Sequence, residues 1–119
     1  GSTFAGGPLV CAVALAVFRE LSSPALLAHV REIGGYLGER LEVLRHEDAH
    51  VLEVRGCGLM RGVQVAGSAA AVRDAAQEAG LLLVPAGDDV IRIVPPLIIE
   101  REHVDEAVSI LRHALEVLA

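Results

Sequence analysis

The segment Val51–Val65, VLEVRGCGLMRGVQV, is the part of the sequence that most clearly indicates the fold. Two stretches rich in β-branched and alternating apolar residues, Val51–Arg55 and Leu59–Val65, are separated by a glycine turn, which is typical of a β-hairpin. Glycines after a strand also occur in dinucleotide-binding loops, but such a loop needs a helix directly after it. An alternating stretch follows here instead, so the segment predicts two adjacent antiparallel strands.

The elements after the hairpin are shorter. A helix is predicted from Ser68 to Ala79, with Gly80 as the residue that ends it. A buried strand is predicted at Leu81–Val84 and a second strand at Val90–Val94, with the turn PAGDD between them. The final helix is predicted from apolar residues at helical spacing, which form its inner face: Val104, Ala107, Val108, Leu111, Leu115 and Leu118.

Two helices are predicted before the hairpin. Leu9–Phe18 is apolar on every side of a helical wheel, which predicts a helix that is buried all round. In SSPALL, Ser23 is predicted as the N-cap and Pro24 as the first residue of a long helix. That helix carries one apolar stripe, which consists of Leu26, Val30, Ile33, Leu37, Leu41 and Leu44.

Glycines interrupt the long helix at Gly34, Gly35 and Gly38, where they lower its intrinsic stability. We interpret them as positions at which another backbone approaches closely. The order of elements then predicts an α+β fold, in which a small, mostly antiparallel sheet is covered by helices. The one plausible boundary is the break at Leu21–Pro24, so residues 1–22 and 23–119 are predicted to be separate units.

Composition limits the class of protein. The 119 residues suggest one domain, and the net charge of −6 without a basic block argues against nucleic acid as the main partner. The apolar run Pro8–Phe18 is too short to cross a bilayer and lacks the positive flank of a signal peptide. Cys11 and Cys57 are predicted to be reduced and buried. We therefore expect a soluble, cytoplasmic protein that does not act on a membrane.

All ten basic residues of the Lys+Arg class are arginine, so the chain has no lysine. It cannot form a Schiff base through a side chain. The histidines are scattered through predicted helices and loops and offer no metal-ligand cluster, so we interpret them as surface residues and expect no metal site: His29, His46, His50, His103 and His113.

Two places in the sequence could bind an anion. The opening GSTF belongs to a glycine-rich turn before a helix, where backbone N–H groups and the hydroxyls of Ser2 and Thr3 could bind phosphate. A solvated chain end has the same composition. Arg92 lies between Ile91 and Ile93, so alternation places it on the face opposite the core, where its fork suits a carboxylate. Periodicity alone is equally consistent with an ordinary solvent-facing arginine.

Four segments of the chain resemble the class III pyridoxal-phosphate aminotransferases, in particular the acetylornithine aminotransferases. They are GSTFAGGPLVCAVALAVFREL, VRGCGLMRGVQV, AGLLLVPAGDDVIRIVPPLIIE and HVDEAVSILRHAL, in register over essentially the whole chain. The usual form of the first segment in that family is GSTFGGNPLACAVALAVL. Ala5 replaces a common glycine and Gly7 replaces an asparagine, and these two departures concern the backbone of the loop more than its hydroxyls.

The resemblance implies roles for individual residues. Thr3 would donate to the phosphate of pyridoxal phosphate in the neighbouring subunit's site, Ser2 would lie at the substrate, and Arg92 would bind the α-carboxylate of the amino acid or 2-oxo acid. The Schiff-base lysine is expected upstream of Gly1, so no catalytic residue is assigned within this chain and the chain alone should be inactive. Because Thr3 reaches a neighbouring site, the parent enzyme is expected to be at least a homodimer.

The resemblance also implies an architecture and a reaction. Residues 1–22 would be the cofactor-phosphate loop and a buried helix from the edge of a large domain, and residues 23–119 the C-terminal small domain. The parent enzyme would transfer an amino group from N-acetylornithine to 2-oxoglutarate in arginine biosynthesis. Two alternatives stay open: a class III enzyme for ornithine, succinylornithine or 4-aminobutyrate, and a stand-alone regulatory module that binds a small ligand.

Overall fold

The computed structural model describes Thr3 and residues 5–119 of the chain. Its helices are α1 (Pro8–Leu21), α2 (Pro24–Glu47), α3 (Ala69–Glu78) and α4 (Arg101–Leu115), and the 3-10 helix Glu116–Leu118 extends α4. Its strands are β1 (Val51–Cys57), β2 (Met60–Val65), β3 (Val84–Pro85) and β4 (Val90–Ile93).

The four strands form one sheet in the order β1-β2-β4-β3, and every neighbouring pair is antiparallel. The hairpin predicted from the sequence is confirmed, with Val54 opposite Val63 in the β1–β2 pair. Helices α2 and α3 pack against this sheet, and α4 packs against both of these helices. The predicted α+β class, with a small antiparallel sheet covered by helices, is therefore confirmed.

The core lies between the helices and one face of the sheet, which we call the inner face. Most of the predicted helix stripes are buried there, including Ile33 and Leu41 of α2 and Leu111 of α4, while Val63 and Ile91 contribute from the central strands. Burial of one such side chain contributes roughly 1.5–3 kcal/mol. Burial of these residues fixes the helices on the inner face and leaves the opposite, outer face of the sheet uncovered by them.

Close packing of α2 on the hairpin explains two of its three glycines. A Cβ at Gly34 would lie 2.6 Å from the carbonyl carbon of Gly58, and one at Gly38 would lie 2.9 Å from a guanidinium nitrogen of Arg61. The predicted backbone approach is thus confirmed at Gly34, whereas the neighbour of Gly38 is a side chain. At Gly35 the prediction is wrong, because a Cβ there would meet nothing within 4 Å.

Arg61 stabilises the same contact between α2 and the hairpin. Its side chain lies on the inner face, where the Nε donates to the carbonyl of Gly58 at 2.9 Å. Its two terminal nitrogens donate to the carbonyls of Gly56 at 3.1 Å and Gly34 at 2.7 Å. One guanidinium therefore connects the hairpin turn to Gly34 of α2, which lies 27 residues before Arg61 in the chain.

A polar seam joins the exposed edges of α2 and α4. The Tyr36 hydroxyl donates to the carboxylate of Asp105 at 2.8 Å, and the Arg101 guanidinium lies 4.5 Å from the centre of the Tyr36 ring. Arg101 also pairs with Glu32 at 3.0 Å. The hydrogen bond to Asp105 raises the pKa of Tyr36, because the ionised phenol could no longer donate to the carboxylate.

Helix α1 departs from the sequence prediction. It forms over the predicted residues, but none of its residues is buried, and Leu9 and Phe18 are 77% and 66% exposed. Among the described residues α1 contacts chiefly α2, which covers only one side of a helix that is apolar all round. The radius of gyration is accordingly 17.0 Å, against about 13–14 Å for a compact chain of this length.

Two smaller predictions are also wrong. Leu81–Val84 is not a continuous buried strand: β3 covers only Val84–Pro85, and Leu82 is 81% exposed. The cause is the end of α3, where the Leu81 N–H donates to the carbonyl of Ala76 and is thereby kept out of the sheet. Cys11 and Cys57 are free thiols, as predicted, but both are exposed rather than buried.

Across the described residues, no single helix has the length and apolar character needed to span a bilayer. The pair α1 and α2 satisfies those two criteria only when taken together, and the pair is bent by 58° at the break between its members.

Candidate functional site

Arg92 lies in β4, a central strand of the sheet, opposite Gly62 of β2 and Val84 of β3. Its neighbour Ile91 is fully buried on the inner face, whereas Arg92 itself is exposed. The predicted alternation is therefore confirmed, and the guanidinium belongs to the outer face of the sheet.

Gly62 has no side chain and therefore leaves space beside Arg92 on the outer face of the sheet. Arg55 of β1 and Arg92 of β4 are both directly opposite Gly62, so the three positions share the outer face. The backbone of Gly62 does not require glycine, since its φ is not positive. A Cβ there would meet only ordinary contacts, at 3.6 Å from Arg55 Cγ and from Val90 Cγ1. A glycine of this kind within a strand is typical of a place that a ligand approaches.

The carboxylates of the outer face are held by other partners. Arg55 donates to Glu53 at 2.8 Å and to the side-chain oxygen of Gln64 at 3.4 Å. Gln64 in turn donates to the carboxylate of Asp89 at 2.7 Å. We call Glu53, Arg55, Gln64 and Asp89 the outer-face network. Arg92 makes no hydrogen bond or ion pair with any residue that the structure describes, so its five donors can receive an external carboxylate.

Arg55 and Gln64 were not predicted as parts of this site. Alternation of side chains along β1 and β2 could have indicated them, because it places both residues on the same face as Arg92. What alternation could not show is which of the polar residues on that face would pair with one another.

The second predicted region, around Thr3, precedes α1. Thr3 lies in an exposed turn, Gly6 has a φ of +78°, and Gly7 is the N-cap of α1, with Pro8 as its first residue. No side chain caps this end of α1, and its first turn carries no acidic residue. The exposed hydroxyl and the uncapped N–H groups are the donor set that a phosphate requires. Ser2 lies outside the described residues.

The structure does not unite the two regions within one chain. Thr3 is held at the far end of α1, which contacts chiefly α2, whereas Arg92 lies on the outer face of the sheet. Within the residues described, no group of three His, Cys, Asp or Glu side chains could hold a metal ion. The histidines serve other purposes: His103, for example, accepts a hydrogen bond from the backbone N–H of Glu100 at the start of α4.

Comparisons with known proteins agree over nearly the whole chain. The family profile described as "Aminotransferase class-III" matches residues 1–115. An acetylornithine aminotransferase of Methanothermobacter thermautotrophicus is 42% identical over 115 residues, which are 97% of this chain and 30% of that protein. The chain therefore spans about a third of the length of this curated relative.

Solved structures show the same fold. The N-acetylornithine aminotransferase of Stenotrophomonas maltophilia is 38% identical, with a TM-score of 0.85 over 95% of this chain and 32% of that one. An ornithine aminotransferase of Plasmodium yoelii is 26% identical, with a TM-score of 0.91 over 100% of this chain and 32% of its own. From the sheet, the helices and these matches together, the chain belongs to the class III aminotransferase family.

Proposed function

We propose that the chain is the C-terminal portion of a pyridoxal-phosphate-dependent N-acetylornithine:2-oxoglutarate aminotransferase of arginine biosynthesis. The observation that carries this proposal is the guanidinium of Arg92, which has no partner among the described residues and lies beside Gly62 on the outer face of the sheet. The relatives named for acetylornithine are 42% and 38% identical to the chain, against 26% for the ornithine enzyme, which favours the acetylated substrate. We place the enzyme in the cytoplasm.

Arg92 would bind the α-carboxylate of the 2-oxo acid and of the amino acid formed from it. In both of these molecules the reacting carbon is bonded directly to that carboxylate, so one guanidinium can orient substrate and product at the same place. A bidentate pair between the fork and the carboxylate fixes direction as well as position. Its position in β4, between the hydrogen-bonded strands β2 and β3, limits movement of the backbone that carries it. Orientation of this kind lowers the entropic cost of reaching the reactive geometry.

When bound, pyridoxal phosphate supplies the electron sink for amino-group transfer. The residues of this chain fit its phosphate end: the Thr3 hydroxyl would donate to the phosphate in the neighbouring subunit's site, and Ser2 would lie at the substrate. The chain has no lysine to hold the other end of the cofactor, because all ten of its Lys+Arg residues are arginine. The lysine must then come from another part of the enzyme, and the chain by itself would be inactive.

This arrangement requires two subunits and two units within each chain. Residues 1–22 would belong to the edge of a large domain and residues 23–119 to the small domain, with the junction at the bend between α1 and α2. Since Thr3 and Arg92 are not brought together in one chain, the proposed homodimer would let each subunit's Thr3 complete its partner's site.

The test is the substitution Arg92→Lys in the complete aminotransferase. Lysine keeps the charge but loses the bidentate fork, so kcat/KM for 2-oxoglutarate should fall about 10- to 100-fold. Arg73→Lys is the matched control, because Arg73 lies on α3 and pairs with Asp74 at the surface. An unchanged kcat/KM for 2-oxoglutarate in Arg92→Lys would contradict the proposal.

A further inference from the structure

Gly62 is a glycine in a central strand for which the described part of the chain gives no structural reason. Its φ is not positive, and a Cβ built on it would make only ordinary contacts, at 3.6 Å from Arg55 and from Val90. Glycine inside a strand is less stable than alanine, because its backbone loses more conformational freedom on folding. We propose that Gly62 is a specificity-determining residue, which leaves room on the outer face for a carboxylate bound to Arg92. This inference rests on the proposed role of Arg92.

Four positions surround Arg92 on the outer face, and only one of them lacks a side chain. Gly62 and Val84 lie opposite Arg92 on the two adjacent strands. Val90 and Val94 lie two residues before and after it in the chain, where alternation places them on the same face. Residues directly opposite each other on adjacent strands have Cβ positions about 4.5–5.5 Å apart. The surface beside the proposed carboxylate-binding residue is therefore lowest at Gly62.

The space above Gly62 is not filled by Arg92 itself. The three atoms nearest to the position of a Cβ at Gly62 belong to Arg55 and Val90, at 3.6 to 3.9 Å. The guanidinium of Arg55 donates to Glu53 at 2.8 Å, so this side chain is held at the edge of the space. A carboxylate on Arg92 would therefore meet bare backbone at Gly62, where any other residue would present at least a methyl group.

The room at Gly62 should matter for one of the two substrates and not for the other. In 2-oxoglutarate the carboxylate that Arg92 would bind is bonded to the reacting carbon. In N-acetylornithine three further carbons separate the reacting carbon from the carboxylate. When the reacting carbons of the two molecules occupy the same place, their carboxylates cannot, so a side chain at position 62 should obstruct the 2-oxo acid alone.

The test uses the complete aminotransferase and the variant Gly62→Val, whose side chain favours the strand conformation. With the added carbon atoms in the space that the carboxylate needs, kcat/KM for 2-oxoglutarate should fall about 10-fold or more, while kcat/KM for N-acetylornithine should change by less than about 2-fold. Met60→Val is the matched control. It places a valine at an exposed position two residues away on the same face of the same strand, and should leave both values unchanged.

Gly62→Ala keeps the inference testable if valine disturbs the sheet. Its Cβ fits at 3.6 Å from the nearest atoms, so the midpoint of urea denaturation should stay the same or rise. The methyl group should nevertheless lower kcat/KM for 2-oxoglutarate about 3-fold. A purely structural role of Gly62 would instead lower the midpoint.

The outcomes separate this inference from the proposed function. If Arg92→Lys lowers kcat/KM for 2-oxoglutarate but neither substitution of Gly62 does, the role of Gly62 is wrong and the proposed function stands. If Gly62→Val lowers kcat/KM equally for both substrates, or Gly62→Ala lowers the denaturation midpoint, Gly62 serves the fold and the inference is overturned. If Arg92→Lys changes nothing, the proposed function fails, and the inference fails with it.

Discussion

Arg61 and Arg92 lie on neighbouring strands of one sheet and are used in opposite ways. Arg61 points to the inner face, where its guanidinium donates to three backbone carbonyls. Arg92 points to the outer face and makes no hydrogen bond or ion pair with the described part of the chain. Side-chain alternation along the strands assigns the two arginines to opposite faces, because Arg61 is adjacent in sequence to Gly62, the residue opposite Arg92.

The comparison shows how the fold divides its charged groups between stability and binding. On the inner face each of the three guanidinium nitrogens of Arg61 donates to a backbone carbonyl, at a place where α2 approaches the hairpin to backbone contact. On the outer face the carboxylates of Glu53 and Asp89 are bound by Arg55 and Gln64, so the guanidinium of Arg92 has no partner among the described residues. The two faces should therefore respond very differently to substitution.

The largest effect is expected at the helix that faces Arg61. In Gly34→Ala the new Cβ would lie 2.6–2.8 Å from backbone atoms of Gly58, so α2 and the hairpin must separate. The free energy of unfolding of the 119-residue chain should fall by about 3 kcal/mol, as expected for overpacking against backbone. Urea denaturation followed by circular dichroism measures this change.

Gly35→Ala provides the control for that experiment. It makes the same substitution on the next residue of the same helix, where a Cβ meets nothing within 4 Å. Removing an exposed helical glycine should raise the free energy of unfolding by about 0.5–1 kcal/mol. Equal destabilisation by both substitutions would show that the close approach of Gly58 to Gly34 is not the cause of the loss.

A smaller effect is expected from the two arginines themselves. Arg61→Met keeps an apolar stem but removes all three donors, and should lower the free energy of unfolding by about 1.5 kcal/mol. Arg92→Met removes a guanidinium without a partner among the described residues, and should change it by no more than about 0.5 kcal/mol. The same denaturation curves test both variants, and a loss at Arg92 as large as that at Arg61 would remove the distinction between the faces.

The smallest effect on stability is expected in α1, which is apolar but unburied. Val13 is 55% exposed, so Val13→Gln should change the free energy of unfolding by no more than about 0.5 kcal/mol. The apolar surface of α1 should instead promote self-association of the isolated chain, and Val13→Gln should reduce it in sedimentation velocity. Val108→Gln is the matched control: this valine is 3% exposed, and a buried amide there should lower the free energy of unfolding by about 1–3 kcal/mol.

Residues with strong local patterns were predicted well from the sequence. The hairpin, the start of α2 at Ser23 and Pro24, and the inner face of α4 all follow from periodicity, caps and turn residues, and the structure has them at nearly the predicted bounds. The errors fall where a surface outside the segment decides the outcome. Periodicity correctly described α1 as apolar all round, but burial depends on a partner surface that this chain does not supply.

The error at Leu81–Val84 has a different physical cause. Four consecutive apolar residues are compatible with a strand or with a segment that follows the end of a helix, and composition does not distinguish the two. In the structure the N–H of Leu81 donates to the carbonyl of Ala76 at the end of α3, so Leu81 belongs to the end of the helix. Only Val84 and Pro85 then remain to pair with β4.

The sequence by itself determined the type and order of most elements, the absence of lysine, and the face on which Arg92 lies, because these depend on residue identity and on periods of two or 3.6 residues. Tertiary structure decided that Arg61 is satisfied by carbonyls and that Gln64 holds Asp89. Arg61 and its partner Gly34 are 27 residues apart in the chain, and Gln64 and Asp89 are 25 residues apart. Such pairings depend on how helices and strands pack in space, which no local period encodes.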